Sequence, residues 1–272
     1  MRHTHPSLAF AAMSVVAVLG AAPAAQAGSS WDEIRQAVFG GDRAIHQAGE
    51  LVRLTAPYRP KDQRTVPVKV ETGFRDGRTI RAVALIVDEN PTPVAAVFDI
   101  GAERTQLELA TLLRLNAATD VRAIVEASDG ELYMAERYVK FAGGQGACAA
   151  PPVGNPEEMI ASMGKVTLSH APRLAATTEI RPYTKLKVRH PNHTGMVLDQ
   201  LTLLYVPLRI VTNVQVRQGD QRVFSMRGSI SLSQDPSVDF DYRVNGARTM
   251  NVVVKDSDGA MWEHSFPVGQ GS

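Results

Sequence analysis

Short β-rich runs, each closed by residues that break strands, most constrain the fold of this chain. Seven of them follow Gly49, at 51–55, 65–70, 80–87, 94–100, 105–115, 121–127 and 132–141. Breakers separate them: Pro57 with Pro60, Asp76-Gly77, Asn90-Pro91 with Pro93, and Asp129-Gly130. Short strands at this spacing are typical of antiparallel sandwiches. Asp129-Gly130 further predicts a hairpin with a type I′ turn, in which both central residues have positive φ.

A second block of β-rich runs follows a segment rich in proline. Its runs lie at 185–189, 210–217, 221–226, 237–244, 249–255 and 261–266. Both blocks end in an Asp-Gly hairpin, the second at Asp258-Gly259. The segment between them has the composition of a connector, in which 157–163 favours one helical turn. We therefore predict one β-sandwich domain at 28–150, a linker at 151–172 and a second sandwich at 173–272.

A short helix is predicted before the first sandwich. Ser30 and Glu33 form a capping-box pattern, in which the two side chains satisfy free amides at the start of a helix. Trp31, Ile34 and Val38 follow at helical spacing, which places three apolar side chains on one face.

Residues 1–27 have the pattern of a cleaved signal peptide. Arg2 and two histidines precede an apolar core at 8–19, and Ala25-Gln26-Ala27 supplies the small residues of a cleavage site. No later stretch approaches the roughly twenty continuous apolar residues of a membrane-spanning helix. We expect the mature chain to begin at Gly28 and to be a soluble periplasmic protein with no membrane association.

The chain has one cysteine, Cys148, in a Gly-rich stretch at 141–151 without charged side chains. In an oxidising compartment, any disulfide at this cysteine must join another chain or a small molecule. Free cysteines are often buried and inert. However, Gly143, Gly144 and Gly146 have no side chains to cover a thiol, and their backbone freedom favours a mobile segment. The sequence therefore predicts an exposed thiol on a mobile loop.

Motifs of independent catalysis are missing from the sequence. It contains no Gly-x-Ser-x-Gly elbow, no phosphate-binding Gly-x-Gly-x-x-Gly and no Cys-x-x-Cys. A nucleophile and base could be formed by Cys148 and one of the histidines at 46, 170, 190, 193 and 264, but no motif selects the histidine. With 29 basic and 28 acidic residues and no basic run, the chain also lacks the charge pattern of nucleic-acid binding. We expect neither enzyme activity nor a cofactor.

The segment His190-Pro-Asn-His193-Thr-Gly-Met196 allows two interpretations. Two imidazoles and a thioether at this spacing are ligands that a soft metal such as copper accepts. Alternatively the segment is a structured turn, because Pro191 and Gly195 fix an unusual backbone path to which Asn192 and Thr194 can bond.

Taken in order, these motifs resemble a known pair of proteins. The first block resembles SoxY and the second resembles SoxZ, the two subunits of the periplasmic sulfur-carrier complex of thiosulfate oxidation, here joined in one chain. On the SoxY side the matching stretches are 66–68, 88–98, 121–133 and 138–140, leading to Gly143-Gly144 and Cys148. On the SoxZ side they are His190-Pro191 with Thr194-Gly195, Ser229 to Ser231 with Asp235-Pro236, and 254–259. The whole is similar to the fused SoxYZ-like proteins that accompany quinoprotein dehydrogenases.

The resemblance implies two immunoglobulin-like sandwiches and a role for Cys148. In SoxY, a cysteine on a Gly-rich arm carries the sulfur substrate covalently to successive enzymes, and Cys148 matches it. Partners would be periplasmic redox enzymes, either a quinoprotein dehydrogenase, a c-type cytochrome or Sox-type enzymes, and a sulfur-containing small molecule. By the same analogy, His190 or His193 would lie near Cys148 and stabilise its thiolate.

Cys148 differs from the cysteine of SoxY in its surroundings. Ala147, Ala149 and Ala150 flank it, and the chain continues through Pro151 into the second block. The arm is therefore tethered at both ends, and from Gly143 to Pro151 it reaches at most about 30 Å when fully extended. Two functions stay open: a covalent carrier, and a non-covalent adaptor for a periplasmic dehydrogenase or cytochrome in which Cys148 is incidental.

Overall fold

The computed structural model describes residues 30–101, 103–141, 143–171 and 182–268. The predicted signal peptide lies outside these residues. Among the described residues, the first half contains one helix, α1 (Ser30–Phe39), and eight strands: β1 (Ile45–Gln47), β2 (Val52–Thr55), β3 (Val66–Gly73), β4 (Ile80–Val87), β5 (Val94–Ile100), β6 (Gln106–Leu113), β7 (Thr119–Ala127) and β8 (Leu132–Val139). The second contains α2 (Pro156–Ala161) and seven strands: β9 (Val166–Ala171), β10 (Tyr183–Val188), β11 (Val211–Gln218), β12 (Gln221–Gly228), β13 (Ser237–Asp241), β14 (Thr249–Asp256) and β15 (Met261–Pro267).

The strands form two sheets, each of which runs through both halves of the chain. The larger sheet has the order β1-β8-β7-β4-β5-β12-β11-β14-β15, and the smaller has the order β2-β3-β6-β13-β10-β9. Strands β9 to β15 repeat the arrangement of β2 to β8, so each half contains a seven-stranded sandwich of the immunoglobulin type, to which the first half adds β1 beside β8. The predicted mainly β fold of two sandwiches is confirmed.

Equivalent edge strands join the two halves. β5 pairs antiparallel with β12 and β6 with β13, so the halves meet like the subunits of a two-fold dimer. A buried ion pair also crosses this junction, in which Arg104 donates to the Asp241 carboxylate over 2.6 Å. The pairing covers four strand edges that would otherwise be open to aggregation.

Buried and more exposed residues alternate along the strands, and the buried ones form the core. In β3 every second residue is buried, starting from Val66, because successive side chains of a strand point to opposite faces. Three aromatic rings connect the halves within that core: Phe98 packs on Phe224 at 5.8 Å and Phe224 on Phe240 at 5.0 Å between ring centroids. One hydrophobic cluster therefore extends through both sandwiches.

The two Asp-Gly hairpins have the same turn, but it is not type I′. Gly130 and Gly259 have φ of 90° and 85°, whereas neither Asp129 nor Asp258 has positive φ. In each turn the glycine amide donates to a carbonyl three residues earlier, Ala127 in the first and Asp256 in the second. This geometry matches a type I turn followed by a left-handed glycine, so only the glycine needs positive φ.

The predicted N-terminal helix is confirmed as α1, and it packs on the outer face of the larger sheet. Ile34 is buried there with Ile86 and Ile124. The Trp31 ring lies 4.4 Å from the Arg122 guanidinium, a distance at which a cation and an aromatic face attract. None of the helices in the described ranges is long and apolar enough to cross a bilayer.

The segment predicted as a linker also contains regular structure. α2 begins at Pro156, and the Asn155 side chain accepts from the Glu157 amide over 2.8 Å as its N-cap. β9 follows at Val166–Ala171 and pairs antiparallel with β10. The part of the linker without regular structure is thus shorter than 151–172.

Candidate functional site

The Cys148 loop, residues 143–151, follows β8 and turns the cysteine into the protein. The Cys148 side chain is 0% exposed, and Ala147 beside it is buried as well. The prediction of an exposed thiol is therefore wrong for this conformation. Gly143 and Gly144 have φ of 96° and 89°, which side chains disfavour. These glycines form the exposed bend that directs the next residues inward.

Both halves of the molecule hold the loop in place. From the segment after β6, the Leu115 carbonyl accepts from the Ala147 amide over 3.2 Å, and Asn116 Oδ1 accepts from the Cys148 amide over 3.3 Å. From the second half, the Thr194 hydroxyl donates to the Cys148 carbonyl. The cysteine therefore lies at a contact between the two sandwiches, and these hydrogen bonds must break before its thiol reaches solvent.

Gly146 has a different role from the two glycines at the bend. A Cβ atom at this position would lie 2.0 Å from Asn116 Oδ1, the atom that accepts from the Cys148 amide. The missing side chain thus allows the loop to approach Asn116 closely.

The segment 190–195 is a structured turn, as one of the two interpretations predicted. Asn192 adopts a φ of 52°, its Oδ1 accepts from the Val211 amide over 2.9 Å, and its Nδ2 donates to the Leu232 carbonyl over 3.0 Å. Gly195 has a φ of 79°. This turn presents Thr194 to the Cys148 loop.

The two histidines of the turn are neutral; His190 is buried and His193 is half-buried. His190 Nδ1 accepts from the Asn192 amide over 3.0 Å, and its Nε2 lies 3.7 Å from the Asp256 carboxylate. Burial lowers the pKa of His190 to about 4. Burial also lowers the pKa of His193, and the charges of Arg114 and Arg209 act in the same direction. Within the described ranges, no group of three or more His, Cys, Asp or Glu side chains could hold a metal ion.

The cation that acts on Cys148 is Arg114, a residue that sequence reasoning missed. Its side chain is buried, and it donates to the Asn192 carbonyl over 2.7 Å. Burial raises the pKa of the Cys148 thiol, and the charge of Arg114 opposes that shift. Burial lowers the pKa of Arg114 to about 10, so the guanidinium stays charged at neutral pH. The available signal was a single arginine between Leu113 and Leu115 at the end of an apolar strand.

A pocket of about 430 Å³ lies beside the Cys148 loop, on the outer face of the smaller sheet. Its wall includes loop residues Ala147 and Ala150, together with Leu112 of β6 and Ser237 of β13. The pocket therefore spans the junction between the two sandwiches. Its charged lining residues are Asp62, Arg64, Arg114, Lys185, Lys187 and Asp235.

Large apolar side chains are exposed in the segment 198–208. They are Leu198, Leu201, Leu203, Leu204, Tyr205 and Leu208, and Leu201 is 95% exposed. The segment leaves the turn that contains Thr194. Six large apolar side chains are therefore exposed within eleven residues of sequence.

Two protein-family models match this chain, one in each half. The model of the sulfur oxidation protein SoxY matches residues 35–148, and that of the sulphur oxidation protein SoxZ matches residues 175–267. The chain is a fused SoxYZ-like protein. The SoxY match ends at Cys148 itself. Membership of these two families gives the fused chain a carrier role in sulfur oxidation, and SoxYZ proteins are carriers rather than catalysts.

Two solved structures illustrate what the fused SoxYZ-like chain is similar to. The sulfur carrier protein SoxY from Chlorobium limicola f thiosulfatophilum is 26% identical over 42% of this chain and 92% of its own, with a TM-score of 0.35. A beta-glycosidase from Bacteroides vulgatus is 12% identical over 85% of this chain and 25% of its own, with a TM-score of 0.24. No protein matched in a search of curated sequences.

Proposed function

We propose that the chain is a periplasmic carrier that binds a sulfur-containing intermediate covalently at Cys148. It would present this cargo to partner redox enzymes of a sulfur-oxidation or quinoprotein dehydrogenase-linked system. One observation carries the proposal: the SoxY match ends at the chain's one cysteine, which lies in a loop held by both sandwiches.

Cargo binding requires the Cys148 loop to open. The thiolate is the reactive form of cysteine, and in the closed loop burial raises the pKa of Cys148. The closed state therefore protects the thiol from adventitious oxidation. Opening returns the thiol to water and to an ordinary pKa, at which exchange with a sulfur compound becomes fast.

Tetrathionate provides a defined loading reaction for Cys148. The thiol loses its proton to water, and the thiolate attacks one of the two central sulfur atoms of tetrathionate. The bond between those two atoms breaks as a new bond to Cys148 Sγ forms. Thiosulfate leaves with the electron pair, and an S-thiosulfonate stays on the protein. No further oxidant or reductant is needed.

The test is intact mass spectrometry of the purified full chain after exposure to tetrathionate, without denaturant. We expect the mass of one S₂O₃ group to be added, to be lost on reduction and to be absent in Cys148→Ser. Protein that keeps its original mass, while denatured protein is modified, would show that the native loop does not load and would contradict the carrier.

A non-covalent adaptor is the second candidate, and the burial of Cys148 favours it. In that case the sandwiches bind a dehydrogenase or cytochrome and the thiol is incidental. Cys148→Ser separates the two functions in cells: the adaptor retains the sulfur-oxidising or dehydrogenase activity of its system, whereas the carrier loses it.

A further inference from the structure

The pocket beside the Cys148 loop contains an excess of positive charge. Four of its lining side chains are cationic and two are carboxylates. Arg64 is neutralised by Asp62, to which it donates over 2.8 Å. Lys187 lies 3.5 Å from Asp235, which also pairs with Arg189. Apart from Arg64, the cations of the pocket therefore have weak partners or none.

Among the cationic residues of this pocket, Arg114 has the charge that is least compensated by neighbouring carboxylates. Only 4% of it is exposed, and the acceptors of its guanidinium are the carbonyls of Asn192 at 2.7 Å and Pro191 at 3.5 Å. Within the ranges that the structure describes, no carboxylate pairs with it. Carbonyl dipoles satisfy some of its five donors but leave the net charge in place. A buried charge without a counterion is costly, so the site favours an anion.

Lys185 and Lys187 can approach the same anion. They lie two residues apart on β10, and their side chains are 55% and 44% exposed. Lys185 is 3.5 Å from Asp239, a loose surface pair of a kind worth about 0–1 kcal/mol. Lys187 is likewise 3.5 Å from Asp235, so both ammonium groups are held only by long ion pairs and can turn toward a ligand above the sheet.

We propose that this pocket is a binding site for a small tetrahedral oxyanion, with Arg114 as its buried anchor and Lys185 and Lys187 as mobile contacts. Arginine and lysine together match the oxygens of such an anion in charge and geometry. The inference rests on the proposed carrier function only for the identity of the anion, which would be a sulfur oxyanion. The oxyanion has two sources, a free ion or the sulfonate end of cargo attached to Cys148.

Calorimetric titration of Cys148→Ser with sodium thiosulfate, at low ionic strength, tests the pocket separately from covalent loading. We expect saturable binding. When Lys187→Gln is combined with Cys148→Ser, the affinity should fall about tenfold, because one charge-assisted contact is lost. Lys255→Gln is the matched control, since Lys255 is exposed on β14 of the other sheet. The control substitution should change the affinity for thiosulfate by less than about twofold.

The outcomes separate this inference from the carrier proposal. No saturable binding, or equal weakening by Lys187→Gln and Lys255→Gln, would overturn the oxyanion site even if tetrathionate still loads Cys148. If the site binds, the same titration of loaded wild-type protein identifies the source. Reduced affinity for thiosulfate assigns the pocket to the attached sulfonate, and unchanged affinity assigns it to the free anion.

Discussion

Replacing Thr194 by valine should release the Cys148 loop. Valine has nearly the shape of threonine but lacks the hydroxyl that donates to the Cys148 carbonyl. Thr194 is 5% exposed and Cys148 is 0% exposed, so the carbonyl would lose its donor in a region with little access to water. Leaving a buried acceptor unpaired costs about 1–3 kcal/mol in the closed state. Because the open loop is hydrated in both proteins, loop opening should become about 5 to 150 times more frequent.

The assay is the rate at which a small alkylating reagent modifies Cys148 in native protein. When reclosing is faster than alkylation, the rate follows the population of the open loop. We expect Thr194→Val to react about 30-fold faster than wild type, the centre of that range. Thr194→Ser retains the hydroxyl and should react at nearly the wild-type rate.

Low urea distinguishes loop opening from global unfolding, which exposes far more surface and therefore responds steeply to denaturant. A rate that is insensitive to low urea identifies local opening. If Thr194→Val reacted no faster than Thr194→Ser, or if the reaction accelerated with urea as steeply as unfolding does, the Thr194 hydroxyl would not hold the loop closed.

Two further predictions concern the turn and the loop glycine. The pKa of His190 falls from 6.5 to about 4 on folding, so its neutral form stabilises the fold above pH 6.5, and this stabilisation is lost as the pH falls. Measured by urea denaturation, the free energy of unfolding of wild type should fall by about 2.5 kcal/mol more than that of His190→Asn between about pH 7.5 and pH 4.5. Equal decreases in the two proteins would disprove this. Gly146→Ala would displace Asn116 from the Cys148 amide and should speed alkylation about fivefold, whereas a rate equal to wild type would show that the contact relaxes without opening the loop.

The sequence was sufficient to predict the sandwiches because the signal for them is local. Alternation of apolar residues and Asp-Gly turns identified most strands of both halves. β1 was missed because it has three residues, and β9 because it follows a Pro-rich segment and is stabilised by pairing with β10. The pairing of β5 with β12 joins residues more than a hundred positions apart, and no local pattern encodes it.

The site shows the same division between local and long-range information. The family motifs and composition identified Cys148 and the turn that contains Thr194. Thr194 accepts from the Met196 amide within the turn, as predicted, but the Asn192 side chain bonds to Val211 and Leu232 outside it. The burial of Cys148 depends on Asn116 and Thr194, which lie 32 and 46 positions away. Glycine content indicated freedom of the backbone but not the direction in which the loop turns. The role of Arg114 likewise becomes visible only when the two halves are placed together.

The most direct test of the proposed carrier is the intact mass of the protein isolated from its host cells without reductant, measured before and after reduction. We expect a sulfur-containing adduct on Cys148 that reductant releases and that Cys148→Ser lacks. An unmodified thiol in protein taken from cells that are actively oxidising sulfur would contradict it and leave the adaptor as the better account.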